Sequence, residues 1–219
     1  KGNWVSKACD DLIGACAALV ALKNTKRKNV AILLSRAEES GFHGTMHVLE
    51  KKYLNPKKTS IVSIETSSRL PGAMPGFGPV VRLGDRASVF SAGFVHWLES
   101  VASTLAKKNK NFTFQRKLMD GGTCEATAFN IYGFNVCGIS TPLENYHNQF
   151  LPANNKAKTK KPKSAYPEIV NAKDVDKLAL LVEAMIRDFS AKKVSGTSAF
   201  NTLKKRLVEN HKSETAAWN

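Results

Sequence analysis

Residues 30–34 form an uninterrupted apolar run, and two adjacent glutamates follow it shortly before a glycine. Five consecutive apolar residues predict a strand that is covered on both faces, as in a sheet between two helix layers. Glu38 and Glu39 come just after this predicted strand, where open α/β sheets bind their ligands. A solvated turn before a helix is the simpler interpretation of the same residues, so the rest of the chain has to decide between the two.

Predicted strands and helices alternate along the chain. Strands are expected over residues 30–35, 59–64, 80–83, 112–117 and 135–139, and helices over residues 12–22, 45–53, 91–107, 125–132, 173–189 and 195–211. This alternation predicts an α/β fold, with helices on both faces of a mixed, mostly parallel sheet. We expect a catalytic domain over residues 1–190 with a basic loop at 151–167, followed by a helical extension over 191–219.

The net charge of +15 raises the question of an anionic partner. The lysine-rich patches lack the interleaved aromatic residues of a base-stacking surface, so nucleic acid is not the expected partner. No apolar run approaches the roughly 20 residues of a membrane span. The four cysteines show neither Cys-x-x-Cys nor zinc-finger spacing, which favours buried, reduced thiols in a cytoplasmic protein.

Acidic residues and one histidine recur at predicted strand ends and helix starts. Hydrolytic metal sites need carboxylate and imidazole ligands, a carboxylate that bridges two cations about 3.5–4 Å apart, and a base near the attacking water. Asp10, Glu39, Glu65 and His147 could supply the ligands, and Glu38 could supply the base. The residues alone leave this metal site and a set of solvated charges both open.

Five segments, taken in order, resemble the motifs of a known family. They are residues 7–14 (KACDDLIG), 38–44 (EESGFHG), 72–85 with a Gly-rich loop and a Gly-Pro strand, 120–123 (DGGT) and 146–147 (YH). They are similar to motifs of the di-metal aminopeptidases of the glutamyl/deblocking, tetrahedral and "cellulase M" kind. The resemblance runs from about residue 2 to residue 189 and implies a three-layer, zinc-peptidase-like fold.

The resemblance implies a metal-dependent aminopeptidase with two divalent ions, zinc being expected and cobalt or manganese being alternatives. Asp10 would bridge both ions, Glu39 and His147 would complete one site, and Glu65 would hold the other ion. Glu38 would be the general base that takes a proton from the attacking water. The residues that would line the pocket for the peptide substrate are Gly121, Gly122, Thr123 and Glu125.

Two departures from the family pattern keep alternatives open. Glu65 stands where these aminopeptidases usually carry Asp, whereas related carboxypeptidases and deacylases often carry Glu. The family's upstream His-x-Asp motif, first strands and inserted oligomerisation domain have no counterpart before Asp10, so one metal site should lack its histidine. The chain could be a fragment, a single-metal truncation, or a metal-free binding and assembly module. We expect the full-length form to be a homo-oligomer and this chain to be a monomer.

Overall fold

The structure is a computed structural model that describes residues 2–149, 165–194, 200–201, 204–205 and 207–209. The strands are β1 (Asn3–Ser6), β2 (Ser60–Ser68), β3 (Val80–Arg82), β4 (Gln115–Lys117), β5 (Asn135–Glu144) and β6 (Glu168–Asn171). The helices are α1 (Cys9–Thr25), α2 (His43–Glu50), α3 (Ala92–Lys108), α4 (Glu125–Ile131), α5 (Ala172–Asp188) and α6 (Ala191–Val194), with a 3₁₀ turn at Tyr146–Asn148. The predicted α/β class is confirmed.

The long strand β5 is the centre of the sheet. One edge of β5 pairs with β2 in parallel, and the other edge pairs with β3 and then with β6. The strands β1 and β4 extend the sheet to the order β1-β6-β5-β3-β4. Val136, Ile139 and Leu143 of β5 are fully buried, so this strand carries much of the core. The sheet brings the end of β1, the start of β6 and the end of β5 close together.

The described sheet mixes parallel and antiparallel strand pairs. Two of its strand pairings are parallel and three are antiparallel. Parallel neighbours need a long crossover that is usually helical, but the chain passes from β2 to β3 through residues 69–79 without a helix. This loop reverses the chain, and β3 therefore runs antiparallel to β5. The predicted mixed, mostly parallel sheet is confirmed, since the longest ladder, between β2 and β5, is parallel and most paired residues lie in parallel ladders.

Helices cover the sheet in two groups, which confirms the predicted layered arrangement. The helices α1 and α3 both pack against α5, and α2 packs against α4. The predicted apolar stripe of α5 is buried at Val175, Leu178, Leu181, Val182 and Met185. Helix α1 presents mostly small residues to this packing, since four of its six buried positions are Gly14, Ala17, Ala18 and Ala21. Small side chains let the start of α1 approach the sheet closely.

The strand predicted over residues 30–35 is wrong, because this segment is irregular. A strand needs a neighbouring strand to hydrogen-bond with, and none of the described strands pairs with it. Leu33 and Leu34 are accordingly 48% and 59% exposed rather than covered on both faces. The turn after it does form, since the N–H groups of Gly41 and Phe42 both donate to the Glu38 carbonyl at 3.0 Å.

Three of the four predicted buried thiols are confirmed. Cys9, Cys124 and Cys137 are buried, whereas Cys16 is exposed on α1, and all four are free. Among the described residues no helix combines the length and the apolar character needed to cross a bilayer. Most of the predicted basic loop at 151–167 and of the predicted helix at 195–211 lies outside the described residues.

Candidate metal centre

Asp10, Glu39 and His147 meet at one edge of the sheet, although they are far apart in the sequence. Each offers one ligand atom, and these atoms all lie within 4.8 Å of one another. The Nε2 atom of His147 is 3.1 Å from Oε2 of Glu39. Two carboxylates and an imidazole are a suitable donor set for a divalent cation such as zinc. The residues present therefore fit a metal ion, and this trio forms the candidate metal centre.

The start of α1 places Asp10. The peptide bond between Asp10 and Asp11 is cis, and the Oδ1 atom of Asp11 accepts the N–H of Gly14 at 2.9 Å. A Cβ atom on Gly14 would collide with the Asp11 carboxylate in its present position, so a larger residue there would displace this carboxylate. Asp11 therefore anchors the first turn of the helix, and Asp10 is left to face the candidate metal centre.

His147 is held by its neighbours in the 3₁₀ turn after β5. Its φ angle of 54° lies in the left-handed region that non-glycine residues seldom adopt. The Tyr146 ring stacks on the imidazole with the two ring centroids 3.8 Å apart. The Nδ2 atom of Asn148 donates to the Lys7 carbonyl at 3.0 Å, which ties this turn to the segment that leads into Asp10. These contacts fix the direction in which the imidazole faces Asp10 and Glu39.

Burial and the surrounding negative charge raise the pKa values of Asp10 and Glu38. Burial is the main cause for Asp10, whose pKa rises to about 7, and the charge of Glu39 adds to it. Burial also leads for Glu38, followed by the charges of Glu65 and Glu39, and the pKa of Glu38 rises to about 8. A bound cation would favour the ionised form of both acids and lower both pKa values. The cluster has a physical reason to bind one.

Glu65 is not part of the trio, and the structure gives it a different partner. Its Oε2 atom is 3.9 Å from a guanidinium nitrogen of Arg82, and its Oε1 atom accepts from the Ser63 hydroxyl at 2.8 Å. Arg82 is buried at 4% exposure. Burial raises the pKa of Glu65, and the nearby charge of Arg82 opposes this rise. Of the four predicted ligands, three come together and Glu65 faces an internal cation.

The glycine turn predicted to line the pocket is exposed, with Gly121, Gly122 and Thr123 all at the surface. Asp85 holds this turn, because its Oδ2 atom accepts the N–H of Cys124 at 2.9 Å. Its Oδ1 atom accepts the N–H groups of Ala87 and Ser88. These hydrogen bonds lower the pKa of Asp85 against the opposing effect of burial, which is the largest single influence.

Glu125 is occupied by hydrogen bonds. Its Oε1 atom accepts from the hydroxyls of Ser35 and Thr45, both at 2.5 Å. These bonds tie α4 to the segment before Glu38 and to α2. Glu125 also contributes to the raised pKa of Glu38, which places its charge near the predicted base. Its contacts are those of a residue that fixes the turn around Glu38, and its predicted contact with substrate stays a prediction.

Two residues near the centre escaped the sequence-based prediction. Arg82 interrupts an otherwise apolar run at residues 80–83, and a charge inside a strand pattern is a signal that it needs a buried partner. Glu168 opens the apolar strand β6 in the same way and is only 3% exposed. Its carboxylate accepts hydrogen bonds from the backbone of Asp10 and from that of His147.

Known structures share this fold. The chain superposes on a TET aminopeptidase from Thaumarchaeota archaeon SCGC AB-539-E09 with TM-score 0.67 and 18% identity, covering 89% of this chain and 52% of that one. An aminopeptidase from the archaeon Desulfurococcus kamchatkensis gives TM-score 0.65 and 20% identity, covering 89% and 52%. The Pyrococcus horikoshii TET1 peptidase, which can assemble into a tetrahedron or a large octahedral shell, gives 0.61 and 19%, covering 86% and 51%.

These similarities define the fold class, which is a zinc-peptidase-like α/β domain. The chain spans about half the length of the solved structures that it matches. A profile of the M42 glutamyl aminopeptidase family matches residues 1–160. The chain therefore belongs to the M42 glutamyl aminopeptidase family, and the predicted family is confirmed. Curated protein sequences gave no match.

Proposed function

We propose that the protein containing this chain is a metal-dependent aminopeptidase that hydrolyses the N-terminal bond of peptides. The observation that carries this proposal is the trio of Asp10, Glu39 and His147 in a member of the M42 family. These three side chains would hold one divalent cation, with zinc best suited to the mixed oxygen and nitrogen donors. The bound cation would polarise the peptide carbonyl and make water a better nucleophile.

Glu38 is proposed as the general base. It is half-buried beside the trio, and burial, followed by the charges of neighbouring carboxylates, raises its pKa to about 8. Positive charge at the trio would return this pKa toward the range in which the carboxylate is ionised at neutral pH. Ionised Glu38 would take a proton from the attacking water and pass it to the leaving amine, as general acid–base catalysis requires.

A second metal ion is the part of the proposal that rests on Glu65. A bridging Asp10 and Glu65 would supply carboxylates to it, and family resemblance predicts a histidine from an upstream His-x-Asp motif as a further ligand. The ion pair between Glu65 and Arg82 works against a second cation, because the guanidinium already offsets the charge of Glu65. Metal analysis of the complete protein decides between one ion and two per chain.

The substrate side is proposed from the glycine turn. Gly121, Gly122 and Thr123 form an exposed turn that Asp85 holds through the N–H of Cys124, and the backbone of this turn would hydrogen-bond the peptide substrate. Homo-oligomeric assembly of the complete protein is proposed by similarity to the TET1 peptidase, whose assemblies are a tetrahedron and an octahedral shell. The cytoplasm stays the predicted location.

A substrate panel tests this function on the complete protein that contains these residues. Aminoacyl-p-nitroanilides should be cleaved, chelation should abolish cleavage, and added zinc or cobalt should restore it. N-acylated amino acids and peptides with a free carboxyl end serve as the comparison, because Glu65 also suits carboxypeptidase and deacylase chemistry. Cleavage of only the N-acylated substrates would replace the aminopeptidase proposal, and no turnover of any substrate with metal present would overturn hydrolysis itself.

A further inference from the structure

Glu168 has a buried carboxylate that lies between two of the proposed metal ligands. Its Oε2 atom accepts the N–H of Asp10 at 3.0 Å, and its Oε1 atom accepts the N–H of His147 at 3.1 Å. Its exposure is 3%, and a buried carboxylate is costly unless its oxygens are hydrogen-bonded. The two N–H groups therefore stabilise the carboxylate, and the carboxylate in turn fixes two backbone segments that are 137 residues apart.

The sheet explains how one side chain reaches both segments. Glu168 is the first residue of β6, which lies between β1 and β5 and runs antiparallel to both. Ser6, at the end of β1, pairs with Glu168 itself, and Glu144, at the end of β5, pairs with the next residue of β6. The chain therefore leaves β1 toward Asp10 and leaves β5 toward His147 at the same end of the sheet.

We infer that Glu168 is a positioning residue of the candidate metal centre. It holds the backbones of Asp10 and His147 at the separation at which their side chains share one divalent cation, and this role rests on the proposed metal site. A carboxylate suits the role because both of its oxygens only accept hydrogen bonds. The amide of glutamine would turn an NH₂ group toward one of the two N–H donors.

The backbone conformation of His147 makes this constraint important for the histidine. The backbone of His147 is in the left-handed region, where a non-glycine residue needs support from its surroundings. Stacking with Tyr146 fixes the plane of the imidazole, and the hydrogen bond to Glu168 fixes the backbone that carries it. Residues that orient a metal ligand in this way typically contribute about 10–100-fold to metal affinity.

Cobalt titration of the complete protein tests the inference, with the visible absorption of Co²⁺ reporting the ligand geometry. The binding phase of interest is the one that His147→Ala removes. Glu168→Gln should weaken this phase roughly 10–100-fold and change its spectrum. Glu144→Gln is the matched control, because Glu144 is 44% exposed in the neighbouring strand and its carboxylate pairs with Arg69. The control should bind Co²⁺ like the wild type.

Unchanged affinity and spectrum in Glu168→Gln would contradict the inference. A wild-type protein without the His147-dependent phase would overturn the metal centre itself, and this role with it. Since loss of a buried carboxylate could unfold the chain, amide hydrogen exchange of metal-free wild-type protein is the second measurement. The amides of Asp10 and His147 should be protected, as the bonds to Glu168 require, and fast exchange of either amide would contradict the proposed role.

Discussion

Glu38 and Glu39 are neighbours in the sequence, yet their side chains meet different surroundings. Glu39 is 57% exposed and lies 3.1 Å from the imidazole of His147. Glu38 is half-buried, and burial with the neighbouring acids raises its pKa to about 8. One residue therefore suits a ligand that solvent can reach, and the other suits a base whose proton affinity depends on its environment. The repulsion between them is the reason to expect a cation.

Replacement of the proposed base should separate chemistry from metal binding. Glu38→Gln keeps the size of the side chain but cannot accept the proton, so turnover of aminoacyl-p-nitroanilides by the complete protein should fall by about 10²–10⁴-fold. Metal content, measured by elemental analysis after dialysis, should match that of the wild type. Retained turnover would remove Glu38 from its proposed role, and loss of the metal would make it a ligand instead.

At the scale of the element, the start of α1 shows how local packing shapes the candidate metal centre. Gly14→Ala would place a methyl group 2.1 Å from the Asp11 carboxylate that anchors the helix. We expect the unfolding free energy of this variant to fall by about 1–3 kcal/mol in denaturant titrations, as overpacking does.

Gly121→Ala is the matched control for this substitution. An added Cβ at Gly121 would meet no atom within 4 Å, and the unfolding free energy should change by less than about 0.5 kcal/mol. A loss of stability in Gly14→Ala no greater than that of the control would show that Asp11 moves freely, and that the anchor described at the start of α1 is not needed.

Local sequence patterns predicted the elements whose apolar residues recur at helical spacing. The stripe of α5 is an example, since Leu178 and Leu181 are fully buried at the predicted helical spacing. The strand at residues 30–35 failed because a strand depends on a partner, and an apolar run does not specify that partner. The residues of the trio, Asp10, Glu39 and His147, were predicted from family motifs. Arg82 and Glu168 instead contact residues that are distant in the sequence, and a short motif cannot predict such contacts.

At the scale of the whole molecule, a chain of net charge +15 concentrates raised-pKa acids at one edge of its sheet. Ordinary pKa values in an unfolded chain are about 3.9 for Asp and about 4.3 for Glu. Asp10 at about 7 and Glu38 at about 8 therefore bind more protons in the folded state than in the unfolded state at intermediate pH. Their contribution to stability is full below about pH 4 and is lost as pH rises through about 7 to 8.

The unfolding free energy of the metal-free protein should accordingly decrease between about pH 5 and pH 8.5, and added zinc should offset the decrease by stabilising the ionised acids. Denaturant titrations at the two pH values, with chelator or with zinc, measure both effects. The control is the Asp10→Asn, Glu38→Gln double variant, in which the decrease should be smaller. An identical decrease in this variant would assign the pH dependence to other groups.

The central claim is that Asp10, Glu39 and His147 together hold a divalent cation. Equilibrium dialysis of the complete protein against buffered Zn²⁺ tests it most directly, with His147→Ala compared with His43→Ala, a variant of an exposed histidine outside the trio. We predict that His147→Ala weakens zinc binding by at least about 100-fold, the upper end of what even ligand-orienting residues contribute, while His43→Ala binds zinc like the wild type. Equal zinc binding by all three proteins would contradict the claim.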